Sequence, residues 1–258
     1  MNVISFGSGS QGNALLLQSG DTHLLVDCGF SCRELERRMA AAGFSPAALS
    51  GILFTHDHTD HCRGIATFHK RHPHIPLFAN GETADAIGAL TGVEDGWQVF
   101  ETAEPFEIDE VRVSSFSIPH DAADPVGYLF EEDSAALFVG TDMGVATLPV
   151  KTALKRATCA VLESNHDPVL LAGSDRPLSL KQRIAGRCGH LSNADAADLV
   201  RSVAPPALTT LLLAHLSRPC NAPHLALETM RAALTDLGRT DITLTALEQD
   251  APSALYTF

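Results

Sequence analysis

Seven consecutive residues, Thr55 to His61, constrain this chain more than any other feature. They read Thr-His-Asp-His-Thr-Asp-His and directly follow the apolar run Ile52–Phe54. Imidazole and carboxylate groups are ligands that zinc, manganese and iron accept in proteins. The order His-x-His-x-Asp-His can serve two metals from a single loop. The segment therefore predicts a metal centre and favours hydrolase chemistry.

The overall composition is that of a globular protein with a sizeable core. The chain has 258 residues, of which 45% are hydrophobic and 19% charged. Its net charge of -13 argues against a protein that merely coats nucleic acid, because such binding relies on Lys and Arg. A nuclease is not excluded, since bound metals and a local basic patch can hold a phosphate. We expect one domain spanning residues 1–258.

Cysteine usage and the N-terminus bear on the compartment. The six cysteines form no CxxC pair, which favours buried, reduced thiols over a disulfide framework. The first residues, MNVISFGSGS, lack a basic start followed by a long apolar stretch, so no signal peptide is expected. No apolar run approaches the roughly 18 residues of a membrane span. We expect a cytoplasmic protein with no membrane partner.

Strand and helix patterns alternate at both ends of the chain and flank a β-rich middle. Strands are predicted at Asn2–Phe6, Ala14–Gln18, His23–Val26, Ile52–Phe54, Leu77–Ala79, Gln98–Phe100, Val111–Ile118, Val126–Glu131, Ala136–Val139, Ala157–Leu162 and Leu208–Leu213. Helices are predicted at Cys32–Ala42, Cys62–Arg71, Gly81–Leu90, Ala194–Val203 and Pro223–Leu234. Two packed sheets with helices outside would bury these elements in one core.

The glycine-rich segment Gly7–Gly12 spells the G-x-G-x-x-G of a dinucleotide-binding turn. That fingerprint needs a helix directly after the glycines, and Ala14–Gln18 is too short and too soon followed by a tight turn. We therefore interpret the segment as a connection between two strands. A further interpretation is that it brings Ser8, Ser10 and Asn13 to the rim of a site.

The heptapeptide supplies four candidate ligands, His56, His58, Asp60 and His61, and a two-metal site needs more. His120, Asp142 and His215 each follow an apolar run that reads as a strand, where short loops collect functional groups on a rigid scaffold. Each of them alone fits a capping or turn residue. Their shared position downstream of the heptapeptide favours one site.

The order of these residues resembles the metallo-β-lactamase superfamily, and Leu24–Gly29 is similar to its early strand-Asp-x-Gly element. The resemblance implies an α/β fold, the four-layer αββα sandwich, with two divalent metal ions at one edge of the sheets. Zinc or manganese is expected, with iron as an alternative. The implied ligands are His56, His58 and His120 for the first metal, Asp60, His61 and His215 for the second, and Asp142 bridging both. Asp27 is expected to orient a ligand by hydrogen bonds.

Within the superfamily the chain is similar to YycJ/WalJ-type bacterial proteins, relatives of its nucleases. The matching stretches are Ser8–Asn13, Glu163–Asp167, Gly189–Asn193 and Leu213–Ser217. The best-known β-lactamases carry Cys where this chain has Asp142, which argues against β-lactam hydrolysis. The resemblance implies a phosphodiesterase or 5′-to-3′ exonuclease acting on DNA or RNA, with a single-stranded or 5′-phosphorylated end as substrate. Where the group usually has paired Asn, this chain has Cys220-Asn221, which weakens a substrate contact there.

Roles follow for the residues around the metals. Asp60 is the candidate proton acceptor, His190 the candidate general acid, and Glu163 an anchor for a ligand histidine. Candidate substrate-binding residues are Ser8, Ser10, Asn13, His166, His190, Ser192 and Asn193. Three cations before His190 fit either a phosphate clamp or an ordinary solvated loop; they are Lys181, Arg183 and Arg187.

Two other functions use the same residues. One is a small-molecule hydrolase acting on a cyclic phosphodiester, lactone or thioester, for which a closed apolar pocket would be expected in place of an open groove. The other is a non-catalytic metal-binding DNA-repair accessory protein. Structural metal sites are usually closed tetrahedra, often rich in Cys, whereas this ligand set is His and Asp and exceeds one tetrahedron.

Overall fold

The computed structural model describes residues 1–203 and 205–258, and within them the chain contains fourteen strands and nine α-helices. It divides into two compact units. The first comprises residues 1–115, 122–126 and 248–257, and the second comprises 116–121, 127–247 and 258. Each unit has its own hydrophobic core. One domain over residues 1–258 stays a prediction.

The first unit is built on a seven-stranded sheet. Its strands are β1 (Asn2–Gly7), β2 (Ala14–Ser19), β3 (Thr22–Val26), β4 (Gly51–Leu53), β5 (Leu77–Asn80), β6 (Trp97–Phe100) and the last strand of the chain, β14 (Tyr256–Thr257). The order is β14-β1-β2-β3-β4-β5-β6, and the neighbours from β3 to β6 are parallel. The helices are α1 (Cys32–Ala41), α2 (Thr59–Cys62), α3 (Ile65–Arg71) and α4 (Gly81–Thr91).

Helix α1 shows how sequence spacing produces this unit. Leu35 and Met39 lie four residues apart on one face and are fully buried in the core of the unit. Ser31 caps the first turn by accepting a hydrogen bond from Glu34 N. After the helix, Gly43 adopts φ 83°, the left-handed conformation that glycine takes without steric cost.

The second unit contains five neighbouring strands in the order β13-β12-β11-β10-β9. They are β9 (Val126–Glu132), β10 (Ala135–Gly140), β11 (Cys159–Glu163), β12 (Thr210–Ala214) and β13 (Thr243–Ala246), preceded in the chain by the hairpin of β7 (Phe106–Ile108) and β8 (Val111–Ser117). The neighbours from β10 to β13 are parallel. The helices are α5 (Leu148–Leu154), α6 (Pro168–Gly173), α7 (Leu178–Ile184), α8 (Asn193–Val203) and α9 (Pro223–Asp236).

Several predicted elements are wrong in their bounds. The predicted strand Leu208–Leu213 lies at Thr210–Ala214, and the predicted helix Pro223–Leu234 extends to Asp236. The predicted helix Cys62–Arg71 is interrupted, because Gly64 N donates to Cys28 O at 2.9 Å and a Cβ on Gly64 would lie 2.0 Å from Phe30 O. The predicted strand Ala157–Leu162 starts later and includes Glu163 as its last residue. Short elements without a strong hydrophobic period were not predicted: β7, β13, β14, α5, α6 and α7.

The glycine-rich segment Gly7–Gly12 connects β1 to its antiparallel neighbour β2. The interpretation as a strand-to-strand connection is confirmed. Among the residues described, no helix has the length and apolar character required to span a bilayer.

The cysteines give a prediction about chemical reactivity. All six are unpaired thiols, and of these Cys188 is exposed while the others are buried. Burial raises the pKa of Cys62 and of Cys159 to about 12, so these thiols stay protonated near neutral pH. We expect iodoacetamide to label one thiol per native chain, at Cys188, and all six after unfolding. Peptide mass spectrometry checks this, and rapid native labelling of Cys62 or Cys159 would contradict it.

Candidate metal centre

In the first unit, polar residues follow the ends of two parallel neighbours. Asp27 comes directly after β3, and His56 lies three residues beyond β4. The carboxyl ends of parallel strands meet at one edge of a sheet, so these residues are brought together there. Asp27 adopts φ 64°, a left-handed conformation that is uncommon for a residue other than glycine.

The candidate ligands of the heptapeptide form one cluster. The ring centroid of His56 lies 4.1 Å from that of His61 and 4.7 Å from that of His58. Asp60 Oδ2 is 3.7 Å from His61 Nε2. Helix α2 produces this grouping, because its single turn carries Asp60 and His61 back towards the residues that precede it.

Asp27 orients residues of this cluster through hydrogen bonds to its carboxylate. Its carboxylate accepts hydrogen bonds from Thr55 N at 2.9 Å and from His61 Nδ1 at 2.8 Å. Thr55 Oγ1 also donates to it at 3.0 Å. A proton held on Nδ1 makes Nε2 the candidate ligand atom of His61, the arrangement found in carboxylate–histidine–metal triads.

The glycine-rich segment reaches the same cluster through Asn13. The Asn13 amide Nδ2 lies 3.0 Å from His61 Nε2 and 3.4 Å from Asp60 Oδ2. Its Oδ1 accepts a hydrogen bond from Gly9 N at 2.8 Å. Ser8 is buried and Ser10 is exposed. Asn13 therefore contacts the candidate ligands themselves, and a substrate-binding role for these three residues stays a prediction.

In the second unit, three acidic or imidazole side chains stand at the carboxyl ends of the adjacent parallel strands β10, β11 and β12. They are Asp142, Glu163 and His215. With His190 they form a group in which one candidate ligand atom from each residue lies within 4.8 Å of those of the other three. Asp142 and His215 adopt φ 58° and 55°. Such conformations persist only where the surrounding structure enforces them, and they concentrate at functional sites.

Glu163 and His190 form an acid–base pair in which the carboxylate is fully buried and the imidazole is partly exposed. His190 Nδ1 donates to Glu163 Oε1 at 2.7 Å, and Glu163 Oε2 accepts from Met143 N at 2.8 Å and from Leu191 N at 3.2 Å. Burial lowers the pKa of His190, but the charge and hydrogen bond of Glu163 outweigh it, so the pKa is raised. Burial raises the pKa of Glu163, and its interactions with His190 outweigh that and lower it. The pair therefore favours a protonated imidazole beside a carboxylate.

His120 joins this group. Its Nδ1 donates to Gly189 O at 3.1 Å, and its Nε2 lies 3.8 Å from Asp142 Oδ1. The ring centroids of His120 and His190 are 5.2 Å apart. Gly189 is required at this position, since a Cβ there would lie 2.2 Å from the backbone oxygens of Arg183 and Ile184.

A buried amide network, which the sequence did not reveal, holds the loops of this unit together. Asn193 and Asn221 exchange two hydrogen bonds of 2.9 Å through their side-chain amides. Asn221 Nδ2 also donates to Ser164 O at 2.9 Å, and Asn165 Nδ2 donates to His215 O at 2.8 Å. The signal was the clustering of Asn and Ser after each strand, but single polar loop residues are too common for their partners to be predicted.

Asn221 gives a prediction about stability. Replacing it with alanine leaves the Asn193 amide and the Ser164 carbonyl without their partner in a buried position, and each such loss costs about 1–3 kcal/mol. We expect the free energy of unfolding to fall by about 3 kcal/mol, measured by urea denaturation. Asn2→Ala, a partly exposed amide at the start of β1, is the matched control and should cost less than about 1 kcal/mol. Equal effects would contradict this role for the network.

Three further candidate substrate-binding residues lie in the second unit. His166 is 3% exposed; its Nδ1 has no hydrogen-bond partner among the residues described, and burial lowers its pKa. Ser192 Oγ donates to Asp195 Oδ2 at 2.5 Å and accepts from Asp195 N at 3.1 Å, which caps helix α8. Asn193 belongs to the amide network. Substrate binding by His166, Ser192 and Asn193 stays a prediction.

The donor chemistry of both clusters fits a divalent metal. Imidazole nitrogens and carboxylate oxygens are grouped at strand ends, and in His61 and His120 the second ring nitrogen is hydrogen-bonded to an oxygen acceptor. Such bonds fix the ring orientation and increase the basicity of the ligand nitrogen. These residues are therefore suited to hold a divalent metal. The group of four in the second unit contains no cysteine.

Comparison with known proteins identifies similar chains. Residues 22–216 match a family model described as "Beta-lactamase superfamily domain". The chain is 34% identical over 233 residues to the exodeoxyribonuclease YycJ of Bacillus anthracis, covering 90% of this chain and 88% of that protein. It is 32% identical over 237 residues to the exodeoxyribonuclease WalJ of Streptococcus pneumoniae D39, with the same coverage.

A solved structure shares the fold. The metallo-β-lactamase fold protein YhfI from Bacillus subtilis superposes with a TM-score of 0.72, covers 99% of both chains and is 17% identical. The predicted fold class, an α/β fold of the metallo-β-lactamase type with its αββα sandwich, is confirmed by this similarity and by the family match.

Proposed function

The chain belongs to the β-lactamase superfamily and, within it, to the family of the YycJ and WalJ exodeoxyribonucleases, and we propose that it hydrolyses phosphodiester bonds of DNA from a strand end. The predicted function of a metal-dependent nuclease or phosphodiesterase is confirmed at the level of this family. DNA is proposed in preference to RNA because these relatives are exodeoxyribonucleases.

One observation carries the proposal beyond family membership. His190 is hydrogen-bonded to a fully buried Glu163 and lies within the same group of donor atoms as Asp142 and His215. A proton donor is thereby held beside candidate metal ligands. Hydrolysis of a phosphodiester requires both functions, because charge develops on the phosphate oxygens while the leaving oxygen takes up a proton.

The metal ligands proposed are those that the family resemblance implies. In this proposal His56, His58 and His120 would hold the first metal, Asp60, His61 and His215 would hold the second, and Asp142 would be a ligand of both. Zinc or manganese is proposed, with iron as the alternative. When bound, two such metals lower the pKa of water and neutralise charge on the phosphate.

The roles of the protein side chains follow from their hydrogen bonds. Asp60 accepts the proton of the attacking water, whose oxygen forms the new bond to phosphorus. The bond from phosphorus to the leaving oxygen breaks, and His190 donates its proton to that oxygen. Glu163 keeps the His190 ring oriented and charged until the proton is transferred. Hydrogen bonds to non-bridging or terminal phosphate oxygens are proposed for Ser8, Ser10, Asn13, Ser192 and Asn193, and His166 is proposed as a further substrate contact.

Substrate end and compartment are part of the proposal. A single-stranded DNA with a 5′-phosphate and digestion from that end are proposed from the resemblance to this family. A cytoplasmic location is proposed on the six thiols, which form no disulfide.

The test offers the purified protein several substrates. With added Mn²⁺ or Zn²⁺, we expect turnover of a chromogenic bis-aryl phosphodiester and of a 5′-phosphorylated single strand. Hydrolysis of a lactone or thioester with neither phosphodiester turned over would favour the small-molecule alternative. Stoichiometric metal binding without turnover of any substrate would favour the non-catalytic alternative.

A further inference from the structure

Residues 176–190 form a segment of unusual charge in this acidic chain. It contains four cations, Arg176, Lys181, Arg183 and Arg187, and no Asp or Glu, although the chain has a net charge of -13. We name this segment the cationic arm. It comprises helix α7 and the turn that follows. Arg183 and Arg187 are exposed.

The last residues of the cationic arm, which end at His190, turn back and donate backbone hydrogen bonds to the end of helix α7 and the turn after it. Gly189 N donates to Gly186 O at 2.9 Å, and His190 N donates to Ile184 O at 2.8 Å. Gly189 O accepts from the His120 ring. The arm is thereby fixed against two residues to which the proposed function assigns metal binding and proton donation.

The Asp121 carboxylate links Arg183 to His120. Arg183 Nε donates to Asp121 Oδ2 at 2.5 Å, and Asp121 Oδ1 lies 3.6 Å from His120 Nε2. The Arg183 side chain remains 62% exposed, so its guanidinium can also contact an anion from solvent. The Arg183 guanidinium is therefore held by the residue that directly follows the proposed ligand His120.

A cavity of about 460 Å³ adjoins the arm, and Lys151 and Arg187 both line it. Pockets for small ligands begin at about 300 Å³, so this volume can accommodate part of a nucleotide chain. Asp195 and Asp198 also line it, but Ser192 donates to Asp195 and Arg201 pairs with Asp198 at 2.9 Å. Arg201 therefore offsets the charge of Asp198, whereas the Ser192 hydroxyl leaves the charge of Asp195 in place, so Lys151 and Arg187 are opposed by one carboxylate of the lining.

Apolar surface accompanies these charges. Leu178, at the start of helix α7, is 70% exposed, and Val169 in helix α6 is 77% exposed. Lys181 Nζ donates to Ala172 O at 2.7 Å and ties the two helices together. A single strand presents both phosphates and unstacked bases, so these aliphatic side chains can offer apolar contact beside the cations.

We propose that the cationic arm, together with Lys151, is the surface that binds the phosphates of the substrate strand away from the scissile bond. The inference rests on the proposed function, because it assigns the polynucleotide as the ligand. Charge complementarity argues for this occupant: a patch of cations on an otherwise acidic protein attracts a polyanion there and repels it elsewhere.

The test measures binding and does not depend on turnover. A fluorescein-labelled single-stranded oligonucleotide is titrated with the protein in EDTA and followed by fluorescence anisotropy at several salt concentrations. For the double variant Arg183→Ala/Arg187→Ala we expect affinity to fall at least about tenfold. The slope of log affinity against log salt should also decrease in magnitude by about 0.7 for each phosphate that the variant no longer neutralises. Arg187→Lys, which keeps the charge, should restore most of the affinity at that position.

Arg231→Ala, an exposed cation of helix α9, is the matched control and should leave the affinity unchanged. Equal decreases in the control and the double variant, or an unchanged salt slope, would overturn the proposal. So would a change in oligomeric state of the double variant on size-exclusion chromatography without a change in strand affinity, which would assign the arm to contact between copies. Failure of the proposed function appears separately, as absence of strand hydrolysis by the wild-type protein with metal.

Discussion

Replacing His58 with alanine should remove metal and lower the rate of phosphodiester hydrolysis by on the order of 10³-fold. The side chain is a proposed ligand of the first metal, and its removal leaves that ion with fewer protein ligands. His58 is partly exposed and lies outside the core of its unit, so the fold should be retained. Metal content by elemental analysis and turnover of a chromogenic diester are measured on the same sample.

His74→Ala is the matched control for this variant, since His74 is an exposed histidine of the same unit. It should keep full metal content and activity. If His58→Ala binds as much metal as the wild-type protein, the ligand assignment is wrong. If it loses metal but keeps its activity, the metal is not part of the reaction.

The second large effect is expected for the proton donor. His190→Ala should lower kcat on a DNA strand by about 10²–10⁴-fold, the usual contribution of a general acid. A nitrophenolate leaves readily without a proton, so the same variant should lose far less activity on a bis-nitrophenyl diester. The comparison of the two substrates isolates proton donation from any loss of structure.

Glu163→Gln should show the same pattern in weaker form. The amide keeps the shape of the side chain but removes the charge that holds the raised pKa of His190. Equal losses on both substrates, in either variant, would assign the Glu163–His190 pair to structural support and exclude it as the proton donor. Thermal unfolding of each variant provides the check on folding.

Much of each cluster could be predicted because its residues follow a simple rule. Most of the candidate residues come after an apolar strand, and the ends of parallel strands collect such residues at one edge of a sheet. The heptapeptide added a spacing too dense in His and Asp to be an ordinary loop. The predicted strand ends at Leu162, and β11 ends one residue later, at Glu163.

Other features depend on contacts between residues far apart in the sequence. The left-handed backbone of Asp27, Asp142 and His215 has no local signal, since these residues are compatible with many turns. The Asn193–Asn221 pair depends on two loops meeting. The break in the predicted helix Cys62–Arg71 arises from the close approach of Gly64 to Phe30, which no periodicity can reveal.

The short elements were missed for a related reason. Helices α6 and α7 each span fewer than two full turns beyond their caps and expose apolar residues such as Val169 and Leu178. A hydrophobic period needs about 11 residues to be recognised. The cationic arm was therefore visible in the sequence as a run of charge and not as a structural element.

The central claim, a metal-dependent phosphodiesterase, is tested most directly by measuring strand hydrolysis against bound metal. Protein stripped with a chelator is reloaded with increasing Mn²⁺, and each sample is divided between elemental analysis and a timed digestion of a 5′-phosphorylated single strand. The rate should rise from zero and reach its maximum at about two metal ions per chain. Undiminished hydrolysis by the stripped protein, or none at full metal content, would contradict the claim.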